Sequence, residues 1–427
     1  MISGGRLEIR FPRAGVVRAL GYHEAAGGTR EAYPTPWAVN CRPLAALDRR
    51  RRGGSRSGIA AGGSALPTPA VHVTSNSATV YNAATGATSV VVASAGVMPA
   101  AFTFGAMYRG RLLLVGGKIV HCSRAGGVTD WDYAADVKDP GRAKKFQLSE
   151  ATEYGDDVTA IVPHKDRNLL LASAAELWAL AGDPVTGQFQ NVSRLTGIIG
   201  PKAWTLVDDT VVFMADDGLW SVGANGSGLK QLSVSRVPDD LRDLSGANTV
   251  LAYSPTEQGV YVFCAGATYQ WFYDLVDGGF WPMTMTTVPD YSCVVDGVLR
   301  LSASGTAMQL GGTESIESGV ILGPLKLSSK GGFGIVQAMN GTIATGSGSV
   351  TWAIVPGESA EQAAERAKGA VGGTQTYVAA SGTLSAGRSW MVYPRVRAPW
   401  ACVVLTSSAS WAYESIVLDI LPTGDWR

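Results

Sequence analysis

The stretch from Gly197 to Val222, GIIGPKAWTLVDDTVVFMADDGLWSV, constrains this chain more than any other. Ala203 to Val207, Thr210 to Ala215 and Leu219 to Val222 are short runs rich in β-branched and aromatic side chains, which suit a pleated surface. Asp208-Asp209 and Asp216-Asp217-Gly218 separate them. Asp-Gly between such runs marks a hairpin, because glycine tolerates positive φ at no steric cost. A three-strand unit of this size cannot bury its apolar face alone and requires neighbours of the same kind.

The chain supplies them. From residue 68 onward, short strand-like runs recur in groups: Ala70 to Ala93, Ala101 to Leu148, Val158 to Ala181, the stretch above, Thr249 to Met285, and Tyr291 to Leu310. Trp131, Trp178, Trp220 and Trp271 fall about 42 to 51 residues apart, and Glu176-Leu-Trp-Ala-Leu matches Gly218-Leu-Trp-Ser-Val. Four antiparallel strands repeated at 40 to 50 residues is the period of β-propeller blades. The expected fold is all-β: a propeller of about six blades over residues 68–312, with Trp178 and Trp220 at equivalent blade positions. Stacked β-sandwiches share the same alternation and remain the competing arrangement.

The flanks read differently. Residues 1–67 form an N-terminal extension holding one strand, Arg6 to Phe11, and an Arg/Gly loop. Arg49, Arg50, Arg51, Arg52 and Arg56 are the only basic run, set among glycines. A solvated or interface loop, or a phosphate or nucleic-acid contact, accounts for such a run, and an interface with a neighbouring subunit or the adaptor is the expectation taken here. Residues 313–427 read as a β-sandwich with one helix. Ser359 and Gln362 make its capping box, Gly369 or Gly372 ends it, and its nearly all-round polarity places it at the surface.

Composition narrows the function. Lys plus Arg equals Asp plus Glu at 35 each, which argues against a dedicated nucleic-acid binder. Five cysteines, at 41, 122, 264, 293 and 402, show neither CxxC spacing nor an even count, so buried free thiols are expected. The N-terminus has no apolar signal core, and no apolar run reaches membrane-spanning length. These features predict synthesis in a cytoplasm, a product that is soluble or joins a particle, and no membrane insertion.

No catalytic constellation emerges. The four histidines (23, 72, 121, 164) lie in no metal or hydrolase motif, and GxSxG and P-loop patterns are absent. Asp130, Asp132, Asp136 and Asp139 are spaced too loosely for a DxDxDG calcium loop. Asp-Gly and Asp-Pro turns explain most of them, and the paired acids at the blade turns read as residues that bond their own backbone. The sequence therefore predicts no enzyme, no cofactor and no metal site. The rival reading, a carbohydrate-binding or hydrolytic propeller, needs a carboxylate or histidine cluster where strand ends converge.

Several segments in order carry a resemblance: Asn40-Cys41-Arg42-Pro43 before RRRRGGSRSG, then SRAGGVTDWDYAAD, then GIIGPKAW…VVFMADDGLWSV ahead of LKQLSVSRVPDDL, and the terminal WAYESIVLDILPTGDWR. Over most of residues 37–427 the chain resembles the β-propeller tail proteins of short-tailed bacteriophages, known as tail nozzle, tail tube protein B or packaged-DNA stabilisation protein. The resemblance implies a non-enzymatic virion protein. It implies a homohexameric ring below the portal that contacts adaptor and other tail components, passes double-stranded DNA transiently, and helps retain and then deliver it. The long insertions of the larger nozzles are missing here, so the position along the tail (nozzle, neck or tip) stays open.

Overall fold

The computed structural model describes residues 5–10, 16, 35, 37–43, 53–55, 58–61, 71–81, 85, 87–147, 156–234, 237, 239–312, 316–328, 332–372, 377–385 and 390–423. Among the described residues six antiparallel sheets follow one another, four of them built wholly from strands consecutive in the chain. Blade I is Val71–Thr74, Ser77–Tyr81 and Thr88–Val90. Blade II is Phe104–Tyr108, Arg111–Gly116, Ile119–Cys122 and Lys144–Gln147. Blade III is Ala160–His164, Asn168–Ala172, Leu177–Ala181 and Gln188–Ser193. Blade IV is Trp204–Val207, Thr210–Ala215, Gly218–Gly223 and Lys230–Gln231. Blade V is Thr249–Ser254, Gly259–Cys264, Gln270–Asp274 and Phe280–Met283. Blade VI is Tyr291–Val295, Val298–Ala303 and Thr306–Gly312, and its fourth strand is Gly58–Ala61 from the N-terminal part of the chain.

First strands lie beside first strands: blade II against I and III, and blade V against IV and VI. That is the radial packing of a propeller. Gly58–Ala61 is outermost in blade VI, and the next described strand along the chain, Val71–Thr74, is the first of blade I.

The repeat holds at the level of individual rungs. Trp178 pairs with Leu171, Trp220 with Phe213, and Trp271 with Val262. Each partner is the fourth residue of its blade's second strand. Trp131 is a correction to the series. It lies in a two-residue strand, Asp130–Trp131, paired in parallel with Ala95–Gly96, and is fully buried between blades I and II. Gly96, at φ +67°, is needed there, because a Cβ would sit 2.1 Å from the Trp131 carbonyl oxygen.

The C-terminal unit is a two-sheet sandwich with a helix on its outer side. One sheet orders Ala38–Val39, Ser318–Lys326, Trp400–Ser407, Val350–Gly357 and Ala380–Leu384. The other orders Cys41–Pro43, Gly53–Ser55, Ala412–Thr423, Phe333–Ile343 and Trp390–Val392. Gly5–Arg10 pairs with Ala412–Thr423, and Val396–Ala398 with Phe333–Ile343. Alternation sorts the faces. Val403 and Leu405 enter the main core, while Cys402 and Val404 face the helix Ala360–Val371. That helix buries Ala360, Ala363, Ala364, Ala367 and Ala370. Alanine presents so little apolar surface that the sequence shows mainly the polar side. Ser359 caps it by accepting from the Gln362 N–H at 3.2 Å, Gln362 accepts in turn from Glu358 at 2.9 Å, and Gly372 ends it.

The described strands within residues 1–67, read from sequence as a separate extension, are shared between both units. Gly5–Arg10, Ala38–Val39, Cys41–Pro43 and Gly53–Ser55 belong to the sandwich, and Gly58–Ala61 belongs to blade VI. A single apolar core runs from Leu170 and Phe213 through Trp281 and Leu301 to Trp352 and Ile420.

Candidate functional site

The first strands of blades IV, V and VI wall a cavity of about 380 Å³. Trp204, Thr205 and Leu206 come from blade IV, Val250, Leu251 and Tyr253 from blade V, and Tyr291 to Val294 from blade VI. Trp204–Val207 is half-buried at every position, as expected for a strand whose two faces both border the axis. Lys202 lies 4.3 Å from the Tyr291 ring centroid and donates to the Asp290 carbonyl at 2.9 Å. Ser292 Oγ donates to the Leu251 carbonyl at 3.0 Å, and the Trp204 indole to that of Pro201 at 3.0 Å. These polar groups mostly serve the wall itself. No lining residue is a histidine or a carboxylate. Burial, partly offset by Arg300, pushes the Cys293 thiol up, away from the thiolate a nucleophile needs. The volume is that of a small-ligand pocket, not a passage for duplex DNA.

A second feature is the set of polar locks on the side where each first strand turns into the second. Between blades II and III, Asp166 accepts from the Arg109 N–H at 2.8 Å, and Arg111 spans the seam. Arg111 is completely buried. It donates to both Asp183 oxygens at 2.9 and 3.1 Å, and to the carbonyls of Ser123, Pro140, Gly141 and Arg142 at 2.7 to 3.2 Å. Between blades III and IV, Lys165 pairs with Asp209 at 2.5 Å. The Lys165 hydrogen bond and charge hold the Asp209 carboxyl below its usual range. His164 Nε2 lies 3.2 Å from the same carboxylate without hydrogen-bond geometry.

The joint between propeller and sandwich rests on residues 35–43. Thr35 Oγ1 donates to the Ile321 carbonyl at 2.7 Å. Asn40 donates to Thr284 Oγ1 at 2.9 Å and to the Glu317 carbonyl at 2.6 Å, and accepts from the Thr284 N–H at 2.9 Å. Trp37 meets Tyr269 edge-on at 5.2 Å. Arg42 is buried, pairs with Glu257, and stacks 4.6 Å from the Phe272 ring centroid. Burial works against the Glu257 carboxylate, but Arg42 and the Tyr261 hydroxyl outweigh it and hold the carboxyl below its usual range.

Sequence-predicted site residues fare unevenly. Arg49, Arg50, Arg51, Arg52 and Arg56 lie outside the described residues. In the aspartate-rich excursion, Asp130, Asp132, Asp136 and Asp139 each accept from the N–H two residues on, at 2.8 to 3.1 Å. These local bonds shape a loop that Arg111 then anchors. Among the described residues, no group of three or more His, Cys, Asp or Glu is placed to hold a metal. Cys41, Cys122 and Cys402 are buried free thiols whose ionisation burial strongly opposes. Arg42, Arg111 and Lys202 carry no motif; their roles follow from partners distant in sequence.

No family model matches the chain, and no curated protein matches it by sequence. Solved structures do match. A chain of the mitotic checkpoint complex is 10% identical, with TM-score 0.36, over 63% of this chain and 99% of that chain. The N-terminal domain of Nup159 is 10% identical, with TM-score 0.35, over 65% of this chain and 82% of that chain. Dihydro-heme d1 dehydrogenase NirN in complex with DHE is 11% identical, with TM-score 0.36, over 75% of this chain and 61% of that chain. Likeness at this level carries no functional argument. The sheet order defines the class: an all-β protein whose six-bladed propeller is joined to a β-sandwich.

Proposed function

We propose that this chain is a structural subunit of a short-tailed phage virion, a ring-forming nozzle or neck component that continues the DNA channel and helps retain and then deliver packaged DNA. The observation that carries the reading is the joint. The strands Ala38–Val39, Cys41–Pro43 and Gly53–Ser55 lie in the sandwich and Gly58–Ala61 in blade VI, and one core is continuous through both units. A subunit built this way transmits load instead of flexing about a linker, as a wall under pressure from packaged DNA must. The axial cavity is too small to conduct DNA, so in this reading the duplex runs between chains arranged as a homohexamer. Equal numbers of acidic and basic residues keep the grip on phosphate weak. Adaptor and other tail proteins are the partners this role requires. Particles assembled without the chain are expected to fill with DNA and then lose it to added nuclease; particles that keep a nuclease-resistant genome contradict the proposal.

One observation favours a second reading. Trp204, Tyr253 and Tyr291 border the cavity together with Lys202, a wall on which a sugar ring can stack. Without a pair of lining carboxylates, this reading is binding and not hydrolysis. Calorimetric titration with neutral oligosaccharides tests it, and absence of heat at millimolar ligand removes it.

A further inference from the structure

We infer that the axial cavity binds a small aromatic acid, its ring against the aromatic wall and its negative group held by Lys202. This rests on the second reading above only in taking the cavity as a pocket. It commits to a different ligand and owes nothing to ring formation.

Charge is ordered along the cavity. Lys202 precedes the strand Trp204–Val207 and Asp208 follows it, so a cation and an anion stand at opposite ends of one wall. The Leu251 N–H donates to the Lys202 carbonyl at 3.0 Å, which places Leu251 at the lysine end. Tyr291, the first residue of its strand, is at that end too, its ring 4.3 Å from the ammonium. Tyr253, two residues beyond Leu251, lies toward the Asp208 end. Burial, and then Asp208, push its phenol up, so it stays a neutral hydroxyl.

The ammonium has donors to spare. Of its three, one goes to the Asp290 carbonyl at 2.9 Å. Asp290 spends its carboxylate elsewhere, accepting from Ser302 Oγ at 3.2 Å and the Ser304 N–H at 2.9 Å. No carboxylate lines the cavity. An acidic group on a ligand satisfies such an ammonium better than any neutral group does.

The rest of the lining decides what carries that acid. Leu206, Val250, Leu251, Val294 and Leu299 are aliphatic, and no lining side chain is an amide, imidazole or guanidinium. The Trp204 indole and Ser292 Oγ already donate to backbone carbonyls. A sugar brings several hydroxyls, each costly to bury without a partner. An aromatic acid brings one polar group and a flat apolar face on which Trp204, Tyr253 and Tyr291 can stack. The volume of about 380 Å³ suits a compound of that size. Tyr291 and Val294, 48% and 42% exposed, leave the blade VI side open to solvent.

Cys293 supplies an independent readout. It lines the cavity and is part-exposed, whereas Cys41, Cys122, Cys264 and Cys402 are buried.

The test uses the full-length chain in calorimetric titrations with 2-naphthoate, its neutral isostere 2-naphthamide and a neutral oligosaccharide. 2-Naphthoate is expected to bind about tenfold or more tighter than 2-naphthamide, and to slow N-ethylmaleimide labelling of Cys293 several-fold. Lys202→Met, its fold checked by circular dichroism and thermal melting, should bring the acid down to the affinity of the amide and leave the amide unchanged. Raising salt on the wild-type chain should weaken the acid and spare the amide, which decides the point without a variant. No binding of the acid at millimolar concentration, equal affinity for acid and amide, or binding that leaves Cys293 labelling unchanged would each overturn the inference. Heat from the oligosaccharide alone overturns it and leaves the sugar reading standing, and silence from all three probes removes both.

Discussion

Two seams of this molecule are each centred on a buried arginine, and they are built on opposite principles. Arg111, between blades II and III, satisfies its fork with four backbone carbonyls and a bidentate carboxylate, most of it within about thirty residues of sequence. Arg42, between sandwich and propeller, reaches one carboxylate 215 residues away and lays its plane against Phe272 and Tyr261. Its Nε finds no hydrogen-bond partner among the described residues. The first arginine fixes a loop, and its carbonyl partners have no proton to gain. The second holds two units together through one titratable charge. At the first seam four of the five partners cannot gain a proton, so Asp183 carries only part of the interaction, while the joint to the sandwich depends on Glu257 alone.

The largest effect is expected at the first seam. Arg111→Met leaves Asp183 and four buried or part-buried carbonyls without their donor, and the loss should approach about 4–5 kcal/mol in urea unfolding. A loss below about 1 kcal/mol would show that water replaces the side chain. Arg42→Met should cost less, about 3 kcal/mol, through the uncompensated Glu257 carboxylate. Adding Glu257→Gln should recover more than half of that cost; a purely additive cycle would mean that the two residues do not act as a pair.

Acid separates the seams further. The folded Glu257 carboxyl lies below its ordinary value of 4.5. Its contribution is therefore fully present above that pH and is lost as pH falls through the depressed folded value. The stability difference between wild type and Glu257→Gln should be constant above about pH 5 and shrink below it. The gap between wild type and Arg111→Met should keep most of its size over the same range, and equal shrinkage of both gaps would remove the contrast. The smallest effect is expected from Tyr261→Phe, which keeps the ring beneath Arg42 but removes one donor to Glu257, at about 1 kcal/mol.

The part of this architecture visible in the sequence is the part made of local contacts. Trp178 and Trp220 occupy matching rungs because each hairpin is closed by a turn a few residues away, Ser173 to Glu176 in one blade and Asp216-Asp217 in the other. The aspartates of the blade II excursion were legible only as turn residues, and the structure adds that each bonds an N–H two residues away. Trp131 misled because spacing alone does not distinguish a blade strand from a crossover pair. The joint was not visible at all. Gly5–Arg10 pairs with Ala412–Thr423, and Arg42 with Glu257, across most of the chain, and neither contact leaves a periodicity. The axial cavity was hidden likewise, because its wall comes from three separate blades.

Single-particle imaging of the purified full-length chain bears most directly on the claim that this is a ring-forming conduit subunit. The account predicts closed rings of six copies, each showing a propeller fixed rigidly to its sandwich, around a lumen wide enough for duplex DNA. Monomers at every concentration, or assemblies with no axial opening, would contradict it.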